Sequence, residues 1–273
     1  MTLILSFLTQ EYVVQVSDRR LTDARTGQLV EDDSNKAVLF CGRMAFGYTG
    51  LAQLEGVATD LWLTKVLSAP ECKSLSDAGR TIQLRATDSF RHIHLTGNLK
   101  RHAFVGVGWT RSSVNELFRP IVCEISNIDA QPGELSATVR QEFRMSYSIL
   151  PESVPFSFAA TGQAFTESES AELSRSLRRC AEQRTGPLPA TRLVAAAIRK
   201  VAARNSAVGQ NLLAVSIPRN AVGRPDLEAV FSPPSLDALS FVYLPKGVDD
   251  GIQYGPNVAC GGGSFTNLQA GPV

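Results

Sequence analysis

Apolar and polar positions along the chain follow two periods. Residues 2–8 (TLILSFL) and 12–17 (YVVQVS) are short, dense apolar runs separated by Thr9-Gln10-Glu11, and they read as two strands of a hairpin. KAVLFCGRMAFGYTG, residues 36–50, repeats the arrangement with Cys41-Gly42-Arg43 as its turn. The period then changes. From Gly50 to Leu67, Leu51, Leu54, Ala58, Leu61 and Lys65 fall three or four apart, which predicts a helix with Trp62 off its main apolar face. Residues 74–93 predict a second helix, with Ser76 or Ser74 as possible caps and Ala78, Ile82 and Ala86 on its inner face.

Strand-like runs resume at HAFVGVGW (102–109), RPIVCEIS (119–126) and SATVRQEFRMSYSI (136–149), the last two joined by a Gln131-Pro132-Gly133 turn. Residues 168–183, with a serine-rich start, and 189–205, with Pro189 just ahead, predict two more helices. NLLAVSIP, EAVFS and LSFVYLP are further strands, and VACGGGSFTNLQAGPV reads as a flexible tail. Strands grouped with strands and helices paired with helices imply stacked layers, with two helices covering each outer face of a double sheet. No internal linker is long or polar enough to demand two domains. The expectation is one α+β domain over 1–245 and a Gly-rich tail over 246–273.

Composition narrows the function. A chain of 273 residues with a hydrophobic fraction of 44% can bury one large core or two modest ones. Its 27 basic and 26 acidic side chains leave a formal charge of +1 without a long run of either sign, so neither a nucleic-acid partner nor a membrane surface is expected. The five cysteines are scattered and form no CxxC pair, which fits a reducing cytoplasm better than a disulfide scaffold. The apolar start has no basic leader and is too short for a membrane helix. His92, His94 and His102 make a poor zinc set, GVG at 106–108 lacks a dinucleotide-binding context, and CGGGS at 260–264 lacks the lysine of a phosphate loop. No metal or organic cofactor is expected.

The candidate chemistry begins at Thr2. Methionine removal favours a small second residue, and a chain starting at Thr2 carries a hydroxyl and a free α-amine on neighbouring carbons. With an unperturbed pKa of about 8, that amine is partly unprotonated near neutrality and can take the hydroxyl proton directly or through a water. Lys36 would stabilise the alkoxide as a nearby cation, Asp18 would orient Lys36, and Gly50 would offer an N–H to an oxyanion. Singly, each has a plainer explanation: a trimmed terminus, a strand-end ion pair with Arg19 and Arg20, a solvated lysine, a turn glycine.

Together, Thr2, Asp18 with Arg19 and Arg20, Lys36, and Gly50 in GYTGLAQ resemble the start of a proteasome β-type subunit, within the N-terminal nucleophile (Ntn) hydrolases, and are similar to the bacterial ring proteases of that class. The intervals from Thr2 to Asp18 and from Lys36 to Gly50 match that family without a gap, while the loop between Asp18 and Lys36 is about two residues longer. Arg43 stands where an arginine is frequent, and FVGVGW and FAATGQ extend a weaker likeness to roughly residue 217.

The resemblance implies a four-layer αββα sandwich and a threonine peptidase with Thr2 as nucleophile. It also implies substrate contacts at Leu21, Ser34, Val38, Tyr48 and Ala52, forming a mostly apolar pocket partly filled by Tyr48. Its partners would be peptide or unfolded protein substrates, further copies of the chain in a homo-oligomeric ring, and an unspecified unfoldase or regulator. Around the threonine amine the pattern departs from the family: Thr161 precedes Gly162 in the small-Ser-Gly segment, and Asn205 and Val208 stand where an aspartate and a serine are usual. Two other readings remain open, a non-catalytic ring subunit and an amidase for a small amide. The α-type subunits carry an extra helix before their first strand, which is not expected here.

Overall fold

The computed structural model describes residues 2–23, 25–111, 117–129, 138–162, 165–219, 240–244 and 257–265. The chain begins with β1 (Leu3–Thr9) and β2 (Tyr12–Asp18), then the short β3 (Leu21–Thr22) and β4 (Leu29–Glu31), β5 (Ala37–Phe40) and β6 (Met44–Thr49). After β7 (Gln53–Leu54) and β8 (Val57–Ala58) come helices α1 (Thr59–Leu67) and α2 (Leu75–Arg91) and a 3-10 turn over Gly97–Lys100. Strands β9 (Ala103–Thr110), β10 (Arg119–Asp129), β11 (Thr138–Ile149) and β12 (Phe156–Gly162) lead to α3 (Glu167–Gln183) and α4 (Pro187–Arg204). The described chain closes with β13 (Leu212–Pro218), β14 (Ser240–Leu244), β15 (Asn257–Cys260) and β16 (Gly263–Phe265).

These strands form a five-stranded sheet, β12-β1-β2-β13-β14, and a seven-stranded sheet, β11-β10-β9-β6-β5-β15-β16, with two small two-stranded pairs beside them. Every pairing is antiparallel except that of β15 with β5. The apolar runs in β1 and β2 are nearly continuous because both faces are covered. Leu3, Leu5, Phe7, Val14 and Val16 pack with Leu173, Leu177, Val194 and Ile198 of α3 and α4. Leu8 and Val13 pack instead with Leu39, Ala45, Val107 and Trp109 of the other sheet. That sheet's opposite face, with Val38, Phe46 and Phe104, is covered by Trp62 and Leu63 of α1 and by Ile82 and Phe90 of α2. Farther along the inter-sheet space the side chains turn polar, and Gln15 donates to the Val105 carbonyl at 3.0 Å. The candidate residues lie toward this polar end.

Several boundaries differ from the sequence reading. The helix expected from Gly50 begins only at Thr59, because Glu55 and Gly56, both at positive φ (52° and 78°), turn residues 53–58 into a hairpin. The spacing of Leu51, Leu54 and Ala58 imitates a helical face by coincidence. Within α1 the buried side is Trp62, Leu63, Val66 and Leu67, whereas Leu61 is 45% exposed. Trp62 stacks on Phe104 at 5.5 Å, so it is core and not a surface contact.

Ser74, not Ser76, caps α2 in a reciprocal box with Asp77, and Thr166 with Glu169 does the same for α3. Helix α4 starts at Pro187, two residues before the predicted point. The Gly-rich end carries two strands, with β15 hydrogen-bonded to β5. The expected Gln131-Pro132-Gly133 turn and EAVFS strand lie outside the described residues.

Candidate active site

Thr2, Asp18 and Lys36 converge although they come from three separate chain segments. Thr2 stands immediately before β1, Asp18 ends β2, and Lys36 stands immediately before β5; Thr2 is 4% exposed and the other two are fully buried. The Lys36 ammonium Nζ donates to Thr2 Oγ1 at 2.7 Å, lies 3.5 Å from Asp18 Oδ2, and also donates to the Arg20 carbonyl. Burial pushes the proton affinity of Lys36 below that of a free lysine, and Asp18 partly opposes the shift. A neutral amine beside a hydroxyl is therefore more accessible here than on the surface.

Asp18 is also a structural node. Its carboxylate accepts the N–H of Leu3 at 2.8 Å and those of Arg20 and Gly209 at 3.1 Å each. It thus ties the head of β1, the end of β2 and the loop after α4 to one anion. Arg20 is bidentate to Asp32, at 2.9 and 2.8 Å, and donates to the Ser206 carbonyl at 2.8 Å. Arg19 donates to the carbonyls of Ser34 and Asp33. The two arginines fix the 32–34 segment that delivers Lys36. Sequence reasoning read them only as charges flanking Asp18, because Asp32 and the carbonyls they hold are distant along the chain.

The backbone around Thr2 is held by small residues. Thr49 Oγ1 donates to the Thr2 carbonyl at 3.2 Å, and Gly162 sits so close that a Cβ there would lie 1.9 Å from the same oxygen. Gly50 follows Thr49 at φ +120°, where an added Cβ would lie 2.4 Å from the Arg101 carbonyl and 2.7 Å from His102 Nδ1. The next N–H, that of Leu51, donates to His102 Nδ1 at 3.0 Å. His102 is fully buried among Tyr48, Phe90, Phe104 and Phe143, and its Nε2 meets no hydrogen-bond partner among the described residues. Burial pulls its pKa down to about 3, so the ring is neutral, with the proton on Nε2 because Nδ1 accepts. His102 backs the Gly50–Leu51 turn, a role with no signal in the sequence, where it stands merely at the start of a strand.

The other candidates behave differently. Thr161 is paired with Ile4, and its hydroxyl donates to Glu124 Oε2 at 3.4 Å. Asn205 caps the end of α4 and spends its carboxamide oxygen on the Ala207 N–H at 3.0 Å, while Val208 is buried against α4. Among the five expected substrate contacts, Leu21 and Ala52 line an open cleft of about 760 Å³ together with Gly50, Val30, Leu51 and Ile93. Ser34 is buried to 8% exposure, and Val38 and Tyr48 belong to the cluster under α1 and α2. Strand alternation turns Val38 and Tyr48 toward the helices, where both are core side chains. Burial raises the Tyr48 phenol above its ordinary range. The cleft rim carries Asp23, Glu55 and His92.

His92 and His94 are exposed beyond the end of α2, apart from buried His102, and no cluster of three metal-ligating side chains occurs among the described residues. Among those residues, no helix is long and apolar enough to cross a membrane.

No protein-family model matches the chain, and no curated protein matches it in sequence. Among solved structures it is similar to Anbu (ancestral beta-subunit) from Yersinia bercovieri, with a TM-score of 0.51 and 11% identity over 90% of this chain and 88% of that one. At that identity the likeness is one of fold: among the described residues, a mixed α/β arrangement of two main sheets and four α-helices.

Proposed function

We propose that the chain is a threonine-type Ntn hydrolase that cleaves peptide bonds, built as a four-layer αββα sandwich and acting from Thr2 once Met1 is removed. The supporting observation is the 2.7 Å contact between Lys36 Nζ and Thr2 Oγ1 in a buried setting, with Asp18 3.5 Å from the same nitrogen. In this reading the α-amine freed by loss of Met1 takes the hydroxyl proton, directly or through a water, as Oγ1 attacks the substrate carbonyl, and the Lys36 ammonium held by Asp18 stabilises the developing alkoxide. The Gly50 N–H stabilises the tetrahedral oxyanion. The proton then passes to the leaving amine, and water hydrolyses the Thr2 ester with the freed α-amine as base. The Leu21 and Ala52 side of the cleft receives the substrate. The working form is a cytoplasmic homo-oligomeric ring, which keeps folded proteins away from Thr2; light scattering coupled to size exclusion tests it, and an active monomer would overturn it.

A second reading, a non-catalytic ring subunit, is favoured by one feature. Asn205 is uncharged and accepts the Ala207 N–H, and Val208 has no hydrogen-bonding side chain, so the aspartate and serine usual around the threonine amine have no equivalent charge or hydroxyl at these two positions. Incubation with a threonine-directed electrophile, read by intact mass, separates the two readings. A single adduct on a chain beginning at Thr2, lost in Thr2→Ala and slowed a hundredfold or more in Lys36→Ala, is the expected result. An unmodified protein with a mature Thr2 terminus would favour the non-catalytic subunit.

A further inference from the structure

The five cysteines drew no function from the sequence, yet two of them meet at the β5–β15 seam. The parallel register pairs Val38 with Asn257, Leu39 with Val258 and Phe40 with Ala259, and the next residues are Cys260, the last of β15, and Cys41, the turn residue at φ 48° that follows β5. The Cys41 N–H donates to the Ala259 carbonyl at 2.9 Å, which carries the pairing one step beyond the last ladder pair. Neighbouring strands lie about 4.8 Å apart, inside the range of roughly 4.4–6.8 Å between Cα atoms that a disulfide spans. Both residues are partly exposed, whereas Cys72, Cys123 and Cys180 are buried.

We propose that Cys41 and Cys260 form a hydroperoxide-responsive dithiol–disulfide site that fastens the C-terminal strands β15 and β16 covalently to β5, the strand that follows Lys36. The seam is also shaped for the thiolate. The Cys41 thiol hydrogen-bonds the Cys260 sulfur, the Gly261 N–H points at the same site, and the Arg43 charge is nearby, which together draw the Cys260 thiol down while Cys41 is pushed up. In this proposal Cys260 is the nucleophile and Cys41 the resolving thiol.

The Cys260 thiolate attacks one peroxide oxygen, forming an S–O bond as the O–O bond breaks; the departing alkoxide or hydroxide takes a proton and leaves as alcohol or water. Sulfur is oxidised to the sulfenic acid and the peroxide is reduced. The Cys41 sulfur then attacks the sulfenic sulfur. An S–S bond forms, the S–O bond breaks, and hydroxide leaves with the Cys41 proton as water. In sum, two thiols and one hydroperoxide give one disulfide, one alcohol or water, and one further water. The site stands independently of the hydrolase reading, because neither cysteine touches Thr2, Asp18 or Lys36 in the contacts described above.

The test treats the reduced full-length protein with hydrogen peroxide, blocks remaining thiols with N-ethylmaleimide, and maps tryptic peptides without reduction. The expected product joins peptide 37–43 to peptide 247–273, lighter by two hydrogens than their sum, with Cys72, Cys123 and Cys180 alkylated. Cys41→Ser should let a sulfenic acid accumulate on Cys260, trapped by dimedone, and Cys260→Ser should leave Cys41 alkylated. Oxidation of another cysteine first, or conversion of Cys260 to sulfinic acid with Cys41 still free in the unmutated protein, would overturn the proposal. Circular dichroism of each variant separates loss of chemistry from loss of fold.

Discussion

At the residue scale, the site rests on buried charge and a buried neutral ring. His102 is neutral because burial denies an imidazolium its hydration, and its pKa near 3 lies below the ordinary 6.5. The folded protein therefore binds this proton later than the unfolded chain does as the pH falls. The contribution of His102 is fully present above about pH 6.5 and is lost as the pH drops toward 3, at roughly 1.4 kcal/mol per pH unit. His102→Phe should accordingly shrink the stability difference between pH 7 and pH 5 by about 2 kcal/mol, measured by urea unfolding within each variant. An unchanged difference would mean that His102 is protonated in the folded state. The family resemblance grouped Thr2, Asp18, Lys36 and Gly50 but gave no place to His102, whose position depends on strand β9 lying beside β6.

At the element scale, local chemistry decided helix ends more firmly than apolar spacing did. Ser74 and Ser76 were equivalent as caps on sequence alone; the structure selects Ser74, whose hydroxyl accepts the Asp77 N–H at 3.1 Å while Asp77 answers to the Ser74 N–H at 3.0 Å. Ser74→Ala should cost about 1 kcal/mol in thermal or urea unfolding, and Ser76→Ala should fall within about 0.5 kcal/mol of the parent. Equal costs would reverse the assignment. The α1 error came from the same source in the opposite sense. Leu51, Leu54 and Ala58 keep helical spacing, but a tight turn at Glu55-Gly56 pre-empts it, and a periodicity count does not register backbone at positive φ.

At the scale of the whole molecule, the C-terminal strands close the seven-stranded sheet. Asn257 is fully buried and donates to Asp60 Oδ2 at 3.1 Å, and the Gly262 N–H donates to the Ser68 carbonyl at 2.7 Å. Removing residues 257–273 would expose β5 as an edge and leave the buried Asp60 carboxyl, already raised by its burial, without that donor. The expected outcome is a fall of several degrees in Tm with more aggregation on heating, followed by calorimetry and light scattering. A truncated chain as stable as the full one would return this segment to the status of a loose tail.

The sequence by itself determined most strand and helix classes and their order along the chain, because these follow from local periodicity, while Thr2, Asp18, Lys36 and Gly50 were grouped by the resemblance of their order and intervals to the proteasome β-type pattern. It could not decide which of the remaining candidates meet. Asn205 accepts the Ala207 N–H after α4, Val208 packs in the core with α3 and α4, and Val38 and Tyr48 pack in the core under α1 and α2. The shifted Lys36 ammonium, the support of Gly50 by His102 and the meeting of Cys41 with Cys260 across 219 positions arise only when β1, β2, β5, β9 and β15 are brought into register. Contacts between distant segments are made by packing, and burial then sets the charge of the groups they enclose.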